Sequence, residues 1–233
     1  RQSEKYLGVN LEREEGAFYL NPSEYVAKLL ADAGLSDCKP VGTPGVAAAR
    51  DNTSRQLSKD EHATYRQRVG QLLWLANTRK DICYAVKELS RHVHDPTEQD
   101  ARACKRVLRY LKGTEAYKVP LKPWKEKGPL TLEVYSDSDW AGCSETRKST
   151  SGGCILLQGV PIHGWSRTQS IVALSSGEAE YVALTVAAAE VSWMADLLKE
   201  LGVPCERPIV HTDSAAAKDM RKKQLSKVKH MEM

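Results

Sequence analysis

Residues 130–141 read LTLEVYSDSDWA, and the prediction of the fold begins with this stretch. Leu130, Leu132 and Val134 alternate with polar or aromatic residues, and a period of two predicts a half-buried β-strand over Leu130–Ser136. Asp137 follows that strand directly. A strand that ends in aspartate places a carboxylate at the carboxyl edge of a sheet, which is where α/β folds hold their chemistry.

The neighbouring apolar runs extend this strand into a sheet. Gly153–Gln158 and Val160–Ser166 are separated only by Gly159, so the three strands predict an antiparallel meander. Pro208–Thr212 follows a long helical segment, and a strand after a helical crossover is expected to pair in parallel. The fold class is therefore α/β, with a mixed sheet and flanking helices.

The helix before the last strand has a clear start and a clear end. Ser175 with Glu178 three residues later is a capping box, and the apolar pattern continues to Gly202. Glu178 is then engaged with the backbone at the helix start. Glu180 lies on the face that packs against the sheet, because small residues follow it at Ala183 and Ala187. We therefore assign Glu178 to the cap and Glu180 to the site.

Three acidic residues, Asp137, Glu180 and Asp213, are predicted to meet at one sheet edge. Gathered carboxylates repel each other unless a cation lies among them, and hard oxygen ligands suit Mg²⁺ or Mn²⁺. Each position has a competing interpretation. Asp139 lies two residues after Asp137 on the same face, and Asp213 is also placed to cap a helix over residues 214–220.

Five motifs in this order resemble the ribonuclease H domain of copia-type LTR retrotransposon polyproteins. They are YSDSDWAG at 135–142, STSGGCILLQG at 149–159, WSRTQSIVALSSGEAEYVAL at 165–184, HTDSAAA at 211–217 and KVKHMEM at 227–233. In the first half, YLGVNLEREEGAFYLNPSEYVAKLL at 6–30 resembles the primer-grip hairpin and following helix of a reverse transcriptase palm. The segments 70–86 and 106–114 resemble the helical connection between polymerase and ribonuclease H.

The resemblance implies three parts: residues 1–45 as the end of a reverse transcriptase palm and thumb, 46–122 as a helical connection, and 123–233 as a ribonuclease H-like domain that stops before its C-terminal helix. It implies a ribonuclease acting on RNA–DNA hybrids with two Mg²⁺ or Mn²⁺ ions, held by Asp137, Glu180, Asp213 and Glu232. His230 is expected to contact the scissile phosphate or promote product release. The polymerase domain of the polyprotein is an expected partner, and its catalytic aspartates are expected upstream of Arg1.

Basic residues bracket the acidic site along the chain. Between Arg102 and Lys127, cations outnumber acids, and a second basic cluster follows Asp213. Arg102, Arg106 and Arg109 share one face of a predicted helix opened by Asp95, and we expect them to contact phosphates. We expect Ser138, Ser175 and Ser176 to sense RNA 2′-hydroxyls across the minor groove of a hybrid.

Composition limits the remaining function classes. The chain has 233 residues, a net charge of +4 and 41% hydrophobic residues, enough for a core. We expect no membrane partner, because no apolar run of about 18 residues is present. The six cysteines form no CxxC pair, which favours reduced thiols in an intracellular protein. The resemblance implies a location in a cytoplasmic virus-like particle or the nucleus. Two alternatives stay open: an inactive nucleic-acid-binding fragment of a decayed retrotransposon, and a connection that serves only as a scaffold.

Overall fold

The computed structural model of the chain describes residues 3–6, 8–14, 17–45, 51, 53–121 and 128–215. The chain divides into two compact units, Arg1–Lys125 and Glu126–Met233. The predicted segments 1–45 and 46–122 both fall within the first unit, which extends three residues beyond them. The assignment of functional parts to these segments stays a prediction.

The first unit contains a small antiparallel sheet. Its strands follow the order β1 (Ser3–Tyr6), β2 (Val9–Glu14), β3 (Ala17–Asn21) and β4 (Val119–Leu121). The β1–β2 turn contains Gly8 at a φ of 84°, a left-handed conformation that glycine adopts without steric cost. The predicted hairpin is confirmed. The pairing of β3 with β4, about a hundred residues later in the chain, was not predicted.

Four helices build the core of the first unit: α1 (Ser23–Asp32), α2 (Lys59–Leu75), α3 (Cys83–Arg91) and α4 (Glu98–Gly113). A short 3₁₀ turn, Lys80–Ile82, precedes α3. Their apolar faces enclose fully buried side chains that include Leu30, Leu72, Ile82 and Leu108. The predicted helices are therefore present, with ends that differ from the prediction by a few residues.

The predicted start of α4 is wrong. Asp95 was expected to cap this helix, but Thr97 is its N-cap and Asp100 completes the capping box. Asp100 Oδ2 accepts hydrogen bonds from Thr97 N and Thr97 Oγ1, each at 2.8 Å, while Asp100 Oδ1 lies 2.7 Å from His92 Nδ1. The ring of His92 anchors Asp100, and this tertiary contact selects Thr97 over Asp95.

The second unit is built on the mixed sheet that the sequence predicted. Its order is β7 (Val160–Thr168), β6 (Thr150–Leu157), β5 (Leu132–Asp139) and β8 (Ile209–His211). β5, β6 and β7 are antiparallel neighbours, and β8 pairs in parallel with β5. The strand boundaries differ from the prediction by up to three residues. The difference that bears on the acidic residues is at the end of β5, where Asp137 lies inside the strand, opposite Gly152, because pairing with β6 continues to Asp139.

A long helix, α5 (Ser176–Glu200), packs on β5 and β6. Its buried residues Ala179, Ala183, Ala187 and Val191 meet a sheet face that contains Leu132, Val134 and Ile155. Among the described residues, α5 is by length and composition alone long and apolar enough to cross a membrane. A helix that packs on a protein core can have the same length and composition, so these two properties are weak evidence for a membrane span.

Candidate metal centre

The structure brings Asp137, Glu180 and Asp213 together. Each offers a carboxylate oxygen, and the three oxygens lie within 4.8 Å of one another. Asp137 lies on β5, Asp213 follows the parallel strand β8, and Glu180 lies in the first turns of α5. The parallel pairing of β5 with β8, in which Tyr135 is opposite His211, aligns the two aspartates two residues further on.

Glu180 is the most enclosed member of this acidic triad. Asp137 and Asp213 are exposed, while Glu180 is partly buried. Glu180 Oε1 accepts hydrogen bonds from Ser138 Oγ at 2.7 Å and from Ser138 N at 3.1 Å. Glu180 Oε2 is buried without a hydrogen-bond partner among the described residues. An ionised oxygen left in this way is costly, so the triad is suited to a ligand that supplies positive charge.

The rival carboxylates have other neighbours. Ser175 Oγ accepts from Glu178 N at 3.2 Å, and Glu178 Oε2 accepts from Leu174 N at 2.7 Å. Glu178 therefore caps the helix start, although it bonds the backbone one residue before the expected position. The carboxylate of Asp139 lies against Gly142, where a Cβ would collide with it. Neither residue belongs to the triad.

An open pocket of about 690 Å³ adjoins the triad on the sheet face opposite α5. Its walls include Asp137 and Asp213, and also Tyr135 and His211, whose rings stack at 4.5 Å and 13°. His211 Nε2 lies 2.8 Å from Glu133 Oε2. Neither aromatic residue was predicted as a site residue, although the period of two in β5 places Tyr135 on the same face as Asp137.

The donor set fits a hard divalent cation. Three carboxylates that converge within 4.8 Å match the oxygen ligands that Mg²⁺ and Mn²⁺ prefer. The buried, unpartnered Oε2 of Glu180 provides an independent sign, since a bound cation would satisfy it. The predicted fourth acid, Glu232, and His230 lie outside the described residues.

The residues predicted to bind nucleic acid differ in the contacts that they make within the protein. Arg106 Nη2 donates to Thr43 Oγ1 at 2.8 Å, and Arg109 Nε donates to the Lys39 carbonyl at 2.7 Å. These two arginines therefore hold the segment before residue 45 against α4. Arg102 is exposed, with Glu98 Oε2 at 3.7 Å. At the start of α5, Ser175 caps the helix, and both Ser175 and Ser176 are exposed.

The chain is similar to proteins encoded by plant transposons. It is 37% identical over 213 residues to the retrovirus-related Pol polyprotein from transposon RE1 of Arabidopsis thaliana, which is 91% of this chain and 14% of that protein. It is 30% identical over 242 residues to the Pol polyprotein from transposon TNT 1-94 of Nicotiana tabacum, or 99% of this chain and 18% of that protein. The chain thus spans about one seventh to one fifth of these polyproteins.

A shorter relative is covered more fully. The uncharacterized mitochondrial protein AtMg00810 of Arabidopsis thaliana is 38% identical over 189 residues, which is 81% of this chain and 77% of that protein. No family model and no solved structure matches the chain. The identity to the transposon proteins extends over nearly all of the chain, across both units. The chain therefore belongs to the family of retrovirus-related Pol polyproteins from copia-type transposons.

Proposed function

We propose that this chain contributes the ribonuclease H activity of a retrotransposon polyprotein and hydrolyses the RNA strand of an RNA–DNA hybrid. The observation that carries the proposal is the triad of Asp137, Glu180 and Asp213 within 4.8 Å, at the edge of a mixed sheet. The open pocket beside it leaves this edge accessible to a large substrate. Membership of the Pol polyprotein family supports an enzyme that acts on nucleic acid.

The chemistry follows from what the triad can hold. Two divalent ions at such a site supply activation of the attacking water and stabilisation of the leaving 3′ oxygen. The chain itself would contribute the ligands: Asp137 near the end of β5, Glu180 in the first turns of α5 and Asp213 after β8 would hold the ions. No nucleophilic side chain is required, since positioning and charge carry the catalysis.

Phosphate contacts would come from exposed cations and small polar groups. Arg102 is free of the contacts that engage Arg106 and Arg109 with the preceding segment, so it is the best candidate of the three for a phosphate. Ser175 and Ser176, exposed at the start of α5, are the best candidates for 2′-hydroxyl recognition, because they lie within one turn or so of Glu180. The Ser138 hydroxyl already donates to Glu180, and its oxygen retains capacity to accept.

The test is cleavage of a hybrid whose two strands have different labels. With Mg²⁺ or Mn²⁺ we expect fragments of the RNA strand alone, and we expect Asp137→Asn to abolish them. Asp139→Asn is the matched control, because Asp139 lies on the same strand outside the triad. Cleavage that persists in excess EDTA contradicts the proposal. Binding of the hybrid without cleavage under any metal supports the alternative of an inactive nucleic-acid-binding fragment.

A further inference from the structure

Ser138 occupies a position between two members of the acidic triad. Its backbone N–H lies 2.9 Å from Asp137 Oδ1 and 3.1 Å from Glu180 Oε1. Its hydroxyl donates to the same Glu180 oxygen at 2.7 Å. One residue of β5 therefore contacts a carboxylate of its own strand and a carboxylate of α5.

The geometry assigns different tasks to the two oxygens of Glu180. Oε1 is held by both donors of Ser138, so the carboxylate cannot rotate freely about its last side-chain bond. Oε2 is then the oxygen that remains without a donor, buried among the described residues. A long glutamate side chain loses considerable rotamer freedom when it is fixed, and the two hydrogen bonds offset that cost before any ligand arrives.

We propose that Ser138 is a positioning residue that orients Glu180 for metal binding. The inference rests on the proposed metal centre. The hydroxyl proton of Ser138 is donated to Glu180, so it contacts neither the ion nor the substrate. Partners that hydrogen-bond to metal ligands fix ligand orientation, and their loss typically weakens metal affinity by about 10- to 100-fold. The backbone N–H survives any substitution except proline, so the hydroxyl is the part that mutation can test.

The experiment measures Mn²⁺ affinity of the full chain by electron paramagnetic resonance titration, in the absence of nucleic acid. Ser138→Ala removes the hydroxyl and should weaken binding about tenfold. Ser138→Thr keeps a hydroxyl on a strand that accommodates β-branched residues, and should restore affinity to within about twofold. Ser136→Ala, on the same strand, removes a buried hydroxyl without a hydrogen-bond partner in the described structure and should leave affinity unchanged.

The outcomes separate this inference from the proposed function. If the native chain binds Mn²⁺ and Asp137→Asn abolishes that binding, but Ser138→Ala binds as the native chain does, the positioning role is refuted and the metal centre stands. The same conclusion holds if Ser138→Thr is as weak as Ser138→Ala. If the native chain binds no Mn²⁺, or if Asp137→Asn leaves binding intact, both the metal centre and the positioning role are overturned. Circular dichroism of each variant verifies that the fold is retained.

Discussion

The substitution Glu180→Gln should make the metal-free protein more stable and should abolish its response to Mg²⁺. Two unit charges about 5 Å apart repel by roughly 0.8 kcal/mol in a water-like medium, and by roughly 3.3 kcal/mol at an effective dielectric constant of 20. Asp137 and Asp213 are exposed, so the lower figure applies to their interactions. Gln is nearly isosteric, and its carbonyl oxygen can still accept both hydrogen bonds from Ser138. Loss of two repulsions should then raise the free energy of unfolding of the second unit by about 1–2 kcal/mol.

Mg²⁺ should stabilise the native chain and should have little effect on this variant. An ion present at about ten times its dissociation constant stabilises the folded state by about 1.4 kcal/mol. The native chain should show this gain, whereas Glu180→Gln should show little of it. The matched control is Glu178→Gln, which keeps an acceptor for Leu174 N and should retain the Mg²⁺ response.

Hydrogen exchange of the β5 amides, with EDTA and then with MgCl₂, is the suitable assay because it reports on the second unit alone. The assignment of Glu180 to the metal centre is refuted if Glu178→Gln loses the Mg²⁺ response while Glu180→Gln keeps it. It is also refuted if Glu180→Gln destabilises the metal-free protein by more than about 1 kcal/mol, since the carboxylate would then have a structural role.

Three further predictions concern stability and binding. Gly153→Ala should destabilise the second unit by about 1–3 kcal/mol in urea unfolding, because its Cβ would collide with the ring of Trp165; equal stability of the variant would contradict this packing. Asp100→Ala should cost about 1–2 kcal/mol through the lost cap of α4. Burial raises the pKa of Asp100, but hydrogen bonds from His92 and Thr97 outweigh it and lower the pKa below its usual 3.8. The contribution of the Asp100 carboxylate to the free energy of unfolding is therefore complete above about pH 4 and is lost as the pH falls through the folded-state pKa. The cost of Asp100→Ala should shrink on acidification, and a cost that grows would contradict this role of Asp100. Arg102→Gln should weaken hybrid binding equally for all sequences and flatten the salt dependence by about one unit or less, and an unchanged slope would show that Arg102 lies outside the interface.

The triad was predictable from the sequence because three local signals agreed. A period of two defined β5, a capping box located the start of α5, and a strand after a helix predicted the parallel β8. The capping argument also distinguished Glu180 from Glu178, since only one glutamate can satisfy the backbone at the helix start. Once sheet order and helix start are known, the convergence of the carboxylates follows from topology.

The features that were missed depend on contacts distant in sequence. Pairing with β6 extends β5 past Asp137, and no local pattern in the strand reveals its partner's length. Asp95 and Thr97 each have an acidic residue three positions later, and the contact of His92 with Asp100 selects Thr97. Arg106 and Arg109 have the spacing of a basic face, but their hydrogen bonds with Thr43 and Lys39 are invisible in the helix sequence.

Anomalous diffraction from crystals grown with Mn²⁺ would show directly whether the acidic triad binds metal ions. We expect two anomalous peaks about 3.5–4 Å apart, both in contact with Asp137, and flanked by Glu180 and Asp213. Crystals of Asp137→Asn, grown under the same conditions, should lack both peaks. The proposed metal centre is contradicted if, at a saturating concentration, Mn²⁺ binds only at other sites and leaves the three carboxylates free.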